Sequence, residues 1–338
     1  MIGAVFSAGC LSQREQARST VYEVSLNVGD MSEQLKTGNI DGFIAWEPVS
    51  SAAVQQGTGK VLANSKEIWP DHPCCILAAA TSSLQHLDKN AVLGIVWAHE
   101  KGTDFVNNPR NHDKVVQYIV EHAGVSSAAA DMSLQNIRYT SEVNVTPVRE
   151  YYDELKNSPF LNKKVTDIGY SNEDQFFASF IVQDYSREVK ENLARDPNWK
   201  PTETNATINF GVLPANSHDI ADYIAEKEGY YKAAGLTVFV KRYANGNALM
   251  EGFKTHEIDV GSFGLAPATL KRINDDVKIS IIAGANDEGS SLVVGNNGAI
   301  TSLSNLTGKT IAMPGYGTVQ DIILRKAARQ NNLTVSSK

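Results

Sequence analysis

Glu33-Gln-Leu-Lys-Thr-Gly-Asn-Ile-Asp41 returns later in the chain as Glu251-Gly-Phe-Lys-Thr-His-Glu-Ile-Asp259, identical at five of nine positions. Each copy reads as a helix end, a tight turn, and a strand that opens at Ile-Asp. Such units favour these residues anywhere, and one short match also arises by chance. The reading preferred here is two related lobes, each using the same unit to aim a loop at a shared cleft.

Outward from these units, short apolar runs alternate with helix-length amphipathic segments, the pattern of α/β layers. Strands are expected at Glu23–Val28, Asp41–Trp46, Ile208–Leu213, Thr237–Tyr243 and Lys309–Met313, with another from Asp259. Helices are expected at Met31–Thr37, Asn90–Val106, Asn111–Ala123, Val145–Asn157, Asn172–Arg195, Ile220–Ala234, Asn247–Thr255 and Thr318–Gln330. Residues 197–205 are polar and proline-bearing, and read as a linker.

The 338 residues allow two domains, each with a core of its own. Hydrophobic residues make up 42% and charged residues 20%, the balance of a globular chain. A net charge of -7 without a basic run argues against nucleic-acid binding. No apolar stretch reaches the roughly 18 to 20 residues of a membrane span.

Cysteine occurs at positions 10, 74 and 75. Ser7-Ala-Gly-Cys10 resembles the tail of a lipoprotein signal, so Cys10 is the candidate lipidation site and residues 1–23 a tether. The charged leader of a complete signal is missing. Four Asn-x-Ser/Thr triplets, at Asn144, Asn205, Asn305 and Asn332, are compatible with export. Cys74-Cys75 reads as part of a buried strand running to Ala80, with cysteine as a small hydrophobe. His72 lies beside the pair, yet no Cys/His spacing fits a metal, and none is expected.

Residues 206–338 resemble the N-terminal half of the nitrate/sulfonate/taurine-type ABC substrate-binding proteins. The resemblance rests on the Ile208–Pro214 strand, Ala225-Glu-Lys-Glu-Gly-Tyr-Tyr-Lys-Ala-Ala-Gly-Leu236, Ile258-Asp-Val-Gly-Ser-Phe-Gly264 and Leu306-Thr-Gly-Lys-Thr-Ile-Ala312. Residues 24–195 resemble the C-terminal half, through Leu35-Lys-Thr-Gly-Asn-Ile-Asp-Gly-Phe-Ile-Ala-Trp-Glu-Pro48 and Ala98-His-Glu-Lys-Gly-Thr-Asp-Phe-Val-Asn-Asn-Pro109. The halves stand in exchanged order. Two origins account for that, a circular permutation or the fusion of two truncated neighbours.

The resemblance implies an α/β, two-lobed periplasmic-binding-protein-like fold (type II) with mixed sheets, circularly permuted. Residues 24–72 with 299–338 would form lobe two, and 73–196 with 206–298 lobe one, with crossovers near 70–80 and 296–308. A ligand would close the hinge by binding the closed state better.

Pro314-Gly-Tyr-Gly-Thr-Val319 is the sharpest local element: two glycines allow close backbone approach, and Thr318 opens a helix whose first N–H groups are free for an anion. Gly315, Tyr316, Gly317 and Thr318 are therefore candidate ligand contacts. Gly261, Ser262 and Phe263 read as the corresponding loop of the other lobe, and Leu213, Pro214 and Asn216 as a third lining. Trp46 would cover an apolar part of the ligand and Glu47 pair an ammonium. The plain alternative for these two is a core Trp with a capping Glu.

Catalysis finds no support, since GxSxG and HExxH are absent. His72, His112, His218 and His256 read as surface or loop histidines. No cofactor is expected. The implied function is the solute-binding part of an ABC importer for a small anion or zwitterion such as a sulfonate, taurine or nitrate. It would be an extracytoplasmic monomer working with a permease and an ATPase, reaching the membrane only through a lipid anchor. The alternative is a pyrimidine-precursor (thiamine-related) binding protein or a synthase-like enzyme on the same fold.

Overall fold

The structure is a computed structural model that describes residues 19–338. Its strands are β1 (Thr20–Ser25), β2 (Gly42–Trp46), β3 (Gly59–Asn64), β4 (Pro73–Ala80), β5 (Ile137–Tyr139), β6 (Ala206–Val212), β7 (Leu236–Arg242), β8 (Val260–Gly264), β9 (Ile279–Glu288), β10 (Ser290–Gly295), β11 (Thr310–Met313) and β12 (Thr334–Ser337). They form two sheets of six, in the orders β12-β1-β11-β2-β10-β3 and β5-β9-β4-β8-β6-β7. Cys10 and residues 1–18 of the expected tether lie outside the described residues; the tether's expected last residues, from Thr20, instead belong to β1.

The sheets share one plan. Strands β1, β11 and β2 run parallel, and β10 then pairs antiparallel to β2. In the other sheet β7, β6 and β8 run parallel, and β4 then pairs antiparallel to β8. The repeated nine-residue unit supplies the helix end and strand opening of β2 in one sheet and β8 in the other. Its threonines bond back to the glutamates four residues earlier, Thr37 Oγ1 to Glu33 O at 2.8 Å and Thr255 Oγ1 to Glu251 O at 3.0 Å. β11, β2 and β10 are buried on both faces over nearly all their length, which suits their apolar runs.

β1 pairs in parallel register with β11, Tyr22 opposite Thr310 and Val24 opposite Ala312, although the two lie at opposite ends of the chain. The strand lies earlier than Glu23–Val28, because Val28 already begins a helix. β12 does not run on into β1. It lies parallel to it at the sheet edge, Thr334 opposite Thr20, as a strand without counterpart in the other sheet.

Further expectations differ from the structure. Ile220–Ala234 is two helices, Ile220–Lys227 and Tyr230–Ala233, broken at Gly229 with φ 76°. Asn172–Arg195 is two helices, Glu173–Phe180 and Asp184–Arg195, because Ile181 bridges to Ile281 and Val182 N–H donates to the Ile281 carbonyl. The crossover expected at 296–308 lies at Glu288–Gly289, since β10 is an apolar run that fits between β2 and β3. Residues 197–205 join helix Asp184–Arg195 to β6 within one lobe, pinned by Trp97 Nε1 donating to Trp199 O at 2.9 Å. The two crossovers run side by side: Glu288 N–H donates to His72 O and Asp71 N–H to Glu288 Oε1, both at 3.0 Å.

Candidate functional site

Between the lobes lies a cavity of about 20 Å³, room for about one water molecule. Trp46, Thr318, Val319 and Gln320 line it from one side. Leu213, Asn216, His218 and the Cys74–Cys75 pair face them from the other.

The lobes are latched around this cavity. Trp46 Nε1 donates to Ala215 O at 3.1 Å, and Ser217 N–H donates to Glu47 O at 3.0 Å. Asn245 and Asn247, at the start of helix Gly246–Lys254, donate to the carbonyls of Pro314 and Tyr316 at 3.3 and 2.9 Å. Helix Val145–Lys156 spans the junction, where Glu154 pairs with Lys326 at 2.6 Å and with Arg329. The lobes therefore stand closed, and a solute larger than water enters only after these bonds part.

Of the residues expected at the site, Trp46, Leu213, Asn216 and Thr318 line the cavity. Glu47 does not. Its Oε2 accepts from Ser51 N–H at 3.0 Å at the first turn of helix Val49–Gln55, and its Oε1 from Asn136 at 2.8 Å and Ser291 at 3.2 Å. Burial pushes its carboxyl up despite these donors. The capping reading of Glu47 is the one its contacts match, and no oxygen is left for a ligand ammonium.

Gly261, Ser262 and Phe263 form no loop. They sit inside β8, opposite Ala78, Leu77 and Ile76 of β4, and the chain turns only at Gly264 and Leu265. Gly264 and Pro267 reach the cavity in their place. Phe263 is fully buried against Phe253, while Ser262 Oγ is buried without a partner. Pro214 stands beside the lining rather than in it.

The glycine turn behaves differently from an open anion cradle. Gly317 N–H is taken by Asp321 Oδ2 at 2.7 Å, and Thr318 Oγ1 bonds Gly315 O at 2.7 Å. Asp321 is itself held by Arg325 Nε at 2.8 Å, and Arg325 also pairs with Glu23 of β1. Tyr316 turns outward against Phe160, ring centroids 6.4 Å apart. Thr318 N–H donates to Gly315 O at 3.3 Å, so what remains for a ligand on this side is the helix start at Val319 and Gln320, whose N–H groups lack helical partners.

The feature missed from sequence is His218. Read as a surface or loop histidine, it is buried, as is His72, whereas His112 and His256 are exposed. His218 Nδ1 lies 3.4 Å from Cys74 Sγ and 3.5 Å from Cys75 Sγ, and the sulfurs are 3.7 Å apart. Burial disfavours charge on both Cys74 and His218. The Cys75 hydrogen bond and the imidazolium nevertheless carry the Cys74 thiol well below its ordinary range, and the facing thiolate raises His218. His218 is thus the one lining side chain able to bring positive charge to the cavity. No local signal marks it, because 143 residues separate it from Cys75.

Residues 13–120 match the NMT1-like family, and residues 216–337 match the NMT1/THI5 like family. With mixed sheets in both lobes, the fold is the two-lobed, type II periplasmic-binding-protein-like α/β fold. The chain is 33% identical over 106 residues to the nitrate import ATP-binding protein NrtC of Synechococcus elongatus, and 29% identical over 99 residues to that of Synechocystis sp.. These stretches are 31% and 29% of this chain but only 16% and 15% of those relatives. Among solved structures it is similar to the PBP AgaA in complex with agropinic acid from A. tumefaciens R10, at TM-score 0.41 and 11% identity, over 89% of this chain and 57% of that one. It is also similar to the periplasmic binding protein DppA of Helicobacter pylori in complex with peptide STSA, at TM-score 0.36 and 11% identity, over 88% and 54%. Nothing about binding follows from these likenesses.

Proposed function

We propose that the chain is the solute-binding component of an ABC importer, holding a small anion between its lobes outside the cytoplasm and passing it to a membrane permease driven by an ATPase. The observation that carries this reading is the pair of lobes built on one plan, joined by two adjacent crossovers and latched over a shared cavity. Such a hinge is closed by whichever ligand binds the closed state better than the open one. The role is capture and release, without turnover.

One feature favours a plain anion over a zwitterion: the cavity lining holds no carboxylate for an ammonium, Glu47 being engaged elsewhere, whereas its one cation, His218, is already matched by the Cys74 thiolate. Nitrate and sulfonates therefore rank ahead of taurine, and the name of the curated relatives makes nitrate the first ligand to try.

A thermal-shift series over nitrate, alkyl sulfonates, taurine and pyrimidines tests the reading. At 100 times its Kd a true ligand stabilises by about 2.7 kcal/mol. Stabilisation by nitrate or a sulfonate, lost on changing Asn216 to Leu, is the expected result. Stabilisation by none of these compounds at millimolar concentration would overturn it, and selective stabilisation by a pyrimidine would replace the ligand class.

A further inference from the structure

We propose that Cys74, Cys75 and His218 form a binding site for one thiophilic, closed-shell metal ion of the Zn²⁺ type, with its fourth coordination position open to the inter-lobe cavity. The first ground is geometric. Tetrahedral coordination with Zn–S of about 2.3 Å and Zn–N of about 2.0 to 2.1 Å separates two sulfurs by about 3.8 Å, and sulfur from nitrogen by about 3.6 Å. The structure has 3.7 Å between the sulfurs, and 3.4 and 3.5 Å from them to Nδ1. All three groups are buried, and their ligating atoms lie within 4.8 Å of one another.

The backbone is shaped to make this meeting. Neighbouring residues of a regular strand point to opposite faces, so adjacent cysteines would normally diverge. Against β9 the register slips on both sides of Cys75: Pro73 faces Asp287, Cys75 faces Asn286, and Ile76 faces Gly284. Bulges of this kind re-aim side chains. Here they leave both sulfurs on the side of His218.

The surroundings orient the imidazole. His218 Nε2 lies 2.8 Å from the carbonyl of Gly289, which only accepts, so Nε2 carries a hydrogen; Nδ1 faces the sulfurs, and a metal ion bound there would take the place of its proton. A second hydrogen bond of this type is what orients metal-binding imidazoles. Asn286 Nδ2 lies 3.0 Å from the same Nδ1, a contact that a bound ion would replace, and its Oδ1 is buried without a partner. The same three residues line the cavity, so a fourth ligand, water or a bound anion, reaches the ion from there. Gly289 is also the crossover residue, which ties the site to the hinge. The inference is independent of which solute the cleft takes.

The test uses the full chain, reduced with a phosphine and stripped with a chelator. On titration with Zn²⁺ against a chromophoric chelator, one equivalent should bind. X-ray absorption of the loaded, unmodified protein should show two sulfurs at about 2.3 Å with nitrogen or oxygen at about 2.0 to 2.1 Å. Co²⁺ should give the intense visible bands of a tetrahedral, thiolate-bound ion. Cys75→Ser and His218→Gln should each weaken binding at least tenfold while melting cooperatively, and Cys10→Ser should leave it unchanged. Binding well below one equivalent, a shell without sulfur, or loss of binding in Cys10→Ser would overturn the proposal. The triad would then be a hydrogen-bonded thiol–imidazole cluster alone.

Discussion

Asp41 grips Thr310 at both ends of its peptide: Asp41 N–H donates to Thr310 O at 2.9 Å, and Asp41 Oδ2 accepts Thr310 N–H at 2.9 Å. The other lobe repeats the grip. Asp259 N–H donates to Asn209 O at 2.9 Å, and its Oδ2 accepts Asn209 N–H at 2.8 Å. In each case the aspartate that ends the repeated unit sets the register between the strand it opens, β2 or β8, and the parallel neighbour, β11 or β6. The sequence echo is thus a device for aligning parallel strands, used once in each lobe.

Changing Asp41 or Asp259 to Ala should therefore cost a similar kind of stability in both lobes. Each removes a charged acceptor from a strand N–H, an effect of about 1.5 to 3 kcal/mol. Asp259 should sit at the upper end, because it also accepts from Ser83 Oγ at 2.9 Å and Asn209 Nδ2 at 3.1 Å, whereas the further partner of Asp41 is the partly exposed Lys309 at 3.1 Å. Urea midpoints at unchanged slope measure this. A midpoint equal to the parent's in either variant would show the grip to be incidental.

Gly317 has φ +70°, and a Cβ there would lie 2.7 Å from Leu270 Cδ1. Gly317→Ala should destabilise by about 1 to 2 kcal/mol from backbone handedness alone, with the Leu270 contact adding to it. Any loss of binding in this variant is therefore inseparable from loss of stability. A melting temperature equal to the parent's would contradict the left-handed turn.

The latches favour the closed lobes. Trp46→Phe keeps the ring in the cavity wall but deletes the bond to Ala215 O, worth about 0.5 to 1.5 kcal/mol. That should shift the open-to-closed ratio by roughly two- to tenfold without ligand. Small-angle scattering should show a larger radius of gyration than the parent's, reversed by a saturating ligand. An unchanged radius would mean that this bond does not hold the lobes together.

Burial, helped by the nearby Glu23 and opposed by Arg325, pushes the Asp321 carboxyl up to about 7. Its folded pKa lies above its unfolded one, so the folded chain holds a proton that the unfolded chain has lost between about pH 4 and 7. Its contribution is present at low pH and lost as pH rises through that window. The slope is at most about 1.4 kcal/mol per pH unit. Asp287, pushed to about 7 chiefly by burial, acts in the same direction. Asp321→Asn should thus flatten the fall of stability between pH 5 and about 7 relative to the parent. Parallel curves for the two proteins would refute the assignment.

What the sequence by itself determined is local: the two helix–turn–strand units, the apolar strands they open and the helix after Thr318, whereas the grouping of residues 24–72 with 299–338 followed from the family resemblance of the two halves. Apolar spacing and turn residues carry the local information within ten or so positions. Only the tertiary structure decided where the side chains point. Glu47 caps a helix instead of facing a ligand, Gly317 N–H is spent on Asp321, and Gly261 to Phe263 lie inside a strand. β12 adds an edge strand beside β1, and a register slip around Cys75 swings two sulfurs onto His218. These outcomes depend on bulges and on packing between segments more than a hundred residues apart, where periodicity carries no signal.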